Sequence, residues 1–262
     1  MLKTRLVTAA VALPAVLAIV IFASGWIFSA FIAMLGLWGL YEVAAMTHSN
    51  DPVSLAILAV AGAAPLFVIL AHSDGGLWIV PAAVIVVMMA LVVAVAIRGP
   101  GGGPRGAILT ALGAIYVGVL YPYFAMLRNM RGGIPIIILM LLLVVATDSG
   151  AYFAGSALGR TKLAPRVSPK KSVEGAIGGL AAAVVAGMIL RRWLAPDLSG
   201  PATAAISAAI AILAQAGDLA GSAFKRTAGV KDSGWIFPGH GGLIDRTCSL
   251  VFAAVFTYYC FR

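Results

Sequence analysis

Long apolar stretches alternate with short polar loops along almost the whole of this 262-residue chain. A helix needs about 20 apolar residues to cross the hydrocarbon core of a bilayer, so stretches of that length are the unit to read. They lie near 6–24, 26–46, 54–71, 77–97, 107–127, 134–157, 174–195, 201–222 and 243–261. The pattern predicts an all-α, polytopic integral membrane protein with about nine transmembrane helices. The break at 23–26 alone divides the first two spans, and the ninth begins beside Asp245 and Arg246. No stretch is long or polar enough for a separate soluble domain. The Gly/Pro run at 99–104 is the clearest hinge. It divides one membrane domain into N-terminal helices, 1–105, and a C-terminal part, 106–262, that carries the chemistry.

Composition strengthens this reading. Hydrophobic residues make up 62% of the chain, against about 45–50% in soluble domains. Lys3 and Arg5 ahead of the first apolar run imitate a secretory leader, and the small residues at 23–25 would pass for a cleavage site. Eight further spans favour a retained first helix. With the N-terminus inside, most Lys and Arg fall in cytoplasmic segments, including the loops at 159–175 and 223–242. The net charge of +9 is spread over residues that flank membrane spans, which fits anionic headgroups and phosphates better than nucleic acid. Cys248 and Cys260 would stand about 18 Å apart on one helix, too far for a disulfide. With three His in the chain and no CxxC, a zinc site is excluded.

Charge is costly next to a bilayer, so the few acidic residues can be weighed singly. Asp51, Asp74 and Asp197 fall in short loops and need no function. Glu42, Asp148, Glu174, Asp218, Asp232 and Asp245 remain, most of them inside or at the ends of apolar spans. Residues 217–246 concentrate the rest of the interest. Asp218, Gly221, Ser222 and Lys225 share one helical face, and a glycine-rich turn around Pro238, Gly239, His240, Gly241 and Gly242 brings back Asp245 and Arg246. The expectation is an enzyme site that handles phosphates. Asp148 begins a face of Asp148, Ala151, Tyr152, Gly155 and Gly159, whose plainer reading is a close-packed helix seam. It runs into a basic loop with Arg160, Lys162, Arg166, Lys170 and Lys171, stiffened by Pro165 and Pro169. Ser172 is placed to cap a helix starting near Val173, whose positive end would favour an anion. Glu42 is expected to be a buried partner for a cation, with a direct role as the alternative.

The run Ser222, Lys225, Arg226, Lys231, Asp232, Ser233, Gly234, Pro238 to Gly242, Asp245 and Arg246 resembles the signature of the phosphatidate cytidylyltransferases. These integral membrane enzymes make CDP-diacylglycerol. The Asp148-Ser149-Gly150-Ala151-Tyr152 segment and the segment from Ser168 to Gly175 resemble the same family, so the likeness covers most of 145–247. It implies that CTP and phosphatidate are converted to CDP-diacylglycerol and pyrophosphate for phospholipid biosynthesis. It further implies a multi-pass enzyme of the bacterial inner (cytoplasmic) membrane with its site facing the cytoplasm. Catalytic roles would fall to Asp148, Lys171, Asp218, Lys225 and Asp245. Substrate contacts would fall to Arg166, Ser168, Lys170, Lys171, Glu174, Ser222, Lys225, Arg226, Lys231, Asp232, His240, Gly241, Gly242 and Arg246. Asp218 and Asp245 would hold Mg²⁺ with help from CTP phosphates, the ordinary rival being ion pairs with Lys225 or Arg246. A second, monovalent cation and a homodimer are left open.

One position departs from the family pattern: Cys248 stands where a second Asp usually follows Asp245 by three residues. A thiol offers neither the charge nor the hard oxygen that Mg²⁺ favours. A catalytically weakened relative is therefore one alternative. A lipid or substrate transporter is the other, and it predicts interior charges spread over two halves rather than gathered at 148–246.

Overall fold

The computed structural model describes residues 14–47, 58–63, 66–67, 106–236 and 241–262. Residues 14–22 are helical, and the chain breaks at Ala23 and Ser24 before helix α1 (Gly25–Thr47). A π-helical turn spans Leu58–Ala63. Then follow α2 (Gly106–Leu120), α3 (Pro122–Asn129), α4 (Gly133–Leu158), strands β1 (Lys162–Ala164) and β2 (Ser168–Ser172), α5 (Val173–Leu194), α6 (Gly200–Ala228) and α7 (Leu243–Phe261). The chain is a multi-pass, all-α membrane protein. Among the described residues, six stretches are long and apolar enough to cross a membrane, α2 and α3 acting together as Ile108–Asn129. They coincide with six of the expected spans. The expected spans near 54–71 and 77–97 lie wholly or mainly outside the described residues, as do the start of the first span and the 99–104 hinge.

Local chemistry accounts for where the helices start and stop. Pro122 has no N–H to donate and interrupts the run from α2 into α3. Ser172 caps α5 as its spacing suggested, its Oγ accepting from the Gly175 N–H at 3.1 Å. Ser199 does the same for α6 at Ala202, and Gly229, at φ +79°, ends α6 in the left-handed conformation. Arg128 bridges the early helix break. Its Nε donates to the Val20 carbonyl at 3.1 Å and its Nη2 to the Ala23 carbonyl, satisfying oxygens that a helix end leaves without partners.

Small residues let the C-terminal helices approach closely. A Cβ on Gly175 would stand 2.8 Å from the Ala151 carbonyl, and one on Gly179 2.7 Å from that of Thr147. The seam between α4 and α5 thus uses Ala151 and Gly155, as the sequence suggested, but Tyr152 points away and is exposed. Phe153, Ile177, Val185 and Trp193 are exposed as well, a surface suited to lipid rather than water.

Alternate spans fix two ends of the bundle. At one end Thr110 donates to Thr47 at 3.1 Å, and the α4–α5 and α6–α7 connections emerge beside it. At the other, Asn129 donates to the Gly25 carbonyl and to Ser29. The basic loop after α4 is a structured element rather than an irregular loop. Its two antiparallel strands pair Lys162 with Ser172 and Ala164 with Ser168, and Ala164 and Val167 are buried, which anchors the hairpin.

Candidate active site

Charged side chains meet where the hairpin packs beside α4 and α6. Asp148 and Asp218 each lie ten residues before the ends of α4 and α6, about 15 Å along a helix. Both are thus carried below the level of the connecting loops, at a depth where a carboxylate must face water or a cation. Lys171, on β2, supplies one: its ammonium lies 2.6 Å from Asp218 Oδ2. Asp148 is exposed to the same recess and lies in the field of Asp218, Lys171 and Arg246. Asp148 and Asp218, 70 positions apart in the chain, are thereby brought to one place, with Lys171 and Arg246 among their neighbours.

A second pair sits beside the first and is more deeply buried. Lys225, near the end of α6, bonds Asp245 Oδ1 in the first turn of α7, with the two side chains 14% and 5% exposed. The other carboxylate oxygen, Oδ2, accepts from the Ser233 N–H at 2.8 Å and the Gly242 N–H at 2.9 Å, with Ser233 Oγ 3.1 Å away. Gly241 makes the turn into α7 at φ +80°, and a side chain there would collide with Asp245 Oδ2. Asp245 is therefore fixed by backbone donors on one side and meets a cation on the other.

Cys248 is buried between these pairs. Its thiol faces Asp218 Oδ1 at 3.6 Å, and its Cβ and Sγ pack on Gly221, one turn along α6 from Asp218. Position 248 thus adjoins a carboxylate from the neighbouring helix. Nearby, the Tyr116 hydroxyl is buried and has no hydrogen-bond partner among the described residues.

Glu42 differs from its expected role. No cation among the described residues pairs with it. Its Oε1 accepts from the Leu243 N–H at 2.7 Å and the Trp38 indole at 3.2 Å; Oε2 accepts from the Ile244 N–H at 3.0 Å and the Ser233 hydroxyl at 2.8 Å. Its partner is the positive end of α7 rather than a side-chain cation. Spacing within the motif could not reveal this contact, because Glu42 lies 201 residues from Leu243.

The remaining candidates divide by what they touch. Glu174 accepts the Arg160 and Thr161 N–H groups at 3.1 Å and so ties the start of the hairpin loop to α5. At the start of α5 itself, the Val173 N–H bonds the Thr161 carbonyl and the Gly175 N–H bonds the Ser172 cap, so two of the N–H groups at the end expected to favour an anion are taken up within the fold. Arg226 donates to the Val230 carbonyl at 3.2 Å and braces the α6 terminus. Ser222 and Ser168 are half-buried, whereas Arg166, Lys170, Lys231, Asp232 and Arg246 are exposed. His240 lies outside the described residues. Among those described, no cluster of three or more His, Cys, Asp or Glu side chains converges on one point.

The family model for the cytidylyltransferase family matches residues 3–262. The chain belongs to the cytidylyltransferase family. The match is broader than the 145–247 stretch that carries the motif likeness and takes in the N-terminal helices, including Glu42. Among relatives, the chain is 41% identical over 149 residues to the phosphatidate cytidylyltransferase of Bacillus subtilis (strain 168), covering 56% of this chain and 55% of that protein. It is 43% identical over 149 residues to the phosphatidate cytidylyltransferase of Brucella suis biovar 1 (strain 1330), with the same coverage. These alignments span about half the length of the relatives concerned. A phosphatidate cytidylyltransferase of Staphylococcus epidermidis (strain ATCC 35984) is 31% identical over 254 residues, 96% of this chain and 95% of that relative. In this cytidylyltransferase-family chain the two Lys–Asp pairs join residues of the 145–247 stretch that carries the motif likeness.

Proposed function

We propose that the chain is a CTP:phosphatidate cytidylyltransferase of the inner membrane, with the recess at 148, 171, 218, 225 and 245 as its active site. The observation that carries the reading is the meeting of Lys171–Asp218 and Lys225–Asp245 at one end of a membrane bundle, in a chain of this family. In the reaction, an anionic phosphate oxygen of phosphatidate bonds to the α-phosphorus of CTP in line. The bond from that phosphorus to the bridging oxygen breaks, and its electron pair leaves with pyrophosphate. The attacking oxygen is already charged, so neither a covalent enzyme intermediate nor a general base is required.

Lys171 and Lys225 are the groups to clamp the triphosphate. Each already stands at the site on a carboxylate, and a phosphate oxygen offers it a stronger charge-assisted bond. Arg246, in the field of Asp148, and the exposed Lys170 and Arg166 of the hairpin would draw in both anionic substrates. The donor set also suits Mg²⁺. Asp218 keeps a carboxylate that is 38% exposed, and Asp245 offers Oδ1, which among the described residues meets Lys225. Two carboxylate oxygens plus substrate phosphates and water suffice for that ion. When bound, Mg²⁺ would neutralise charge developing on the phosphates. The thiol of Cys248 adds no hard ligand, so Asp218 and Asp245 carry this role between them.

The site end faces the cytoplasm in this reading, which the distribution of Lys and Arg supports. The chemistry uses CTP and a membrane lipid and calls for neither nucleic acid nor a second copy of the chain. A transporter would need charges along a path through the bundle, whereas these gather at one end. The test is to supply purified protein and phosphatidate with CTP labelled at the α- or the γ-phosphate. The α label should enter the lipid and the γ label should appear in pyrophosphate; label in neither product would reject the activity.

A further inference from the structure

The first turn of a helix exposes N–H groups that no residue of the helix can satisfy, and here a catalytic carboxylate sits in that turn. The partners of α7 can be counted completely. Gly242 N–H goes to Asp245 Oδ2, Leu243 N–H to Glu42 Oε1, Ile244 N–H to Glu42 Oε2, and Asp245 N–H to Ser233 Oγ at 3.3 Å. Gly242 has no side chain with which to cap, so Glu42, reaching across from α1, satisfies two of the four. Ser233 ties the two carboxylates together, donating its hydroxyl to Glu42 while its N–H holds Asp245. The space is shaped for this: a Cβ on Gly234 or on Gly242 would run into the Glu42 carboxylate. Glu42 itself is 2% exposed.

We infer that Glu42 is a positioning residue for Asp245, setting the start of α7 and, through Ser233, the direction in which Asp245 Oδ1 points. The inference rests on the active-site reading of Asp245 given above. A helix N-terminus is an anion site, and Glu42 already fills this one, so substrate phosphates are left to the Lys and Arg side chains of the recess.

The test uses full-length Glu42→Gln and Glu42→Asp in lipid nanodiscs. Gln keeps the size but turns an amide NH₂ toward a backbone donor; Asp keeps the charge on a shorter arm. Hydrogen exchange at residues 242–245 should be slowest in the parent, faster in Glu42→Asp and fastest in Glu42→Gln. Half-saturating Mg²⁺ for turnover, and Mn²⁺ affinity read by electron paramagnetic resonance, should weaken about tenfold in Glu42→Gln, in the range found for supporting groups around a metal site. Loss of folded protein alone would lower turnover and leave half-saturating Mg²⁺ unchanged. If Glu42→Gln fails to insert, Glu42→Asp carries the same comparison. Exchange and metal affinity equal to the parent in either inserted variant would overturn the inference. If the parent shows no CTP turnover, the function reading fails, and the exchange at 242–245 still decides whether Glu42 holds this turn.

Discussion

Lys171 and Asp218 meet at 2.6 Å and join the hairpin between α4 and α5 to a point about ten residues inside α6. The contact carries a basic element from the membrane surface down to a carboxylate at bilayer depth. It also keeps a cation where a phosphate would arrive. Lys171 is part-exposed, so the pair itself adds little stability, about 0–1 kcal/mol. Lys171→Met should therefore leave thermal stability nearly unchanged while lowering CTP turnover about 10²-fold, the order expected for one lost electrostatic contact. Melting curves and initial rates on the same preparation check both halves of that statement.

Cys248 offers a sharper test because it is buried 3.6 Å from Asp218. In Cys248→Asp a new carboxylate must be desolvated beside an existing one. Without a metal this should destabilise the protein by about 1–3 kcal/mol, as an unsatisfied buried polar group does. Mg²⁺ should restore the loss and raise turnover, since the ion gains a hard ligand. Thermal unfolding and rates across a Mg²⁺ titration decide it; no recovery with Mg²⁺ would remove position 248 from the metal site.

The Tyr116 hydroxyl is buried without a hydrogen-bond partner among the described residues. Removing it in Tyr116→Phe keeps the ring contacts with Tyr121 and Phe252 and deletes the orphan. The variant should be as stable as the parent or more so, by about 1 kcal/mol. A marked loss of stability would mean that the hydroxyl is satisfied in the working protein.

Much of this was legible in the sequence because its signals are local. Apolar runs located six spans within a few residues, Ser172 announced the start of α5, and the spacing from Asp218 to Lys225 put carboxylate and cation on one helix face. What escaped depends on distant partners. Glu42 read as a buried acid in need of a cation, and only the fold brings it to the N–H groups of Leu243 and Ile244. The hairpin was hidden for a different reason. Its strands are short, polar and interrupted by Pro169, so they lack the alternation that marks a strand, and buried Ala164 and Val167 hold them.

Topology can be tested apart from catalysis. Thr161 is exposed at the start of the hairpin. A cysteine introduced there by Thr161→Cys, with Cys260 replaced, should react with an impermeant maleimide in inside-out vesicles and not in intact cells. Labelling of intact cells would put the recess on the wrong side for cytoplasmic CTP.

The most direct test of the active-site assignment is transfer of α-labelled CTP into phosphatidate by the parent, Asp218→Asn and Asp245→Asn, reconstituted side by side at saturating Mg²⁺. The parent should form labelled CDP-diacylglycerol. Each variant should insert and fold yet lose about 10³-fold or more in rate, because a group acting on the transferring phosphate is worth several kcal/mol. Folded parent protein that forms no labelled lipid, or an Asn variant that keeps a near-parental rate, would contradict the assignment.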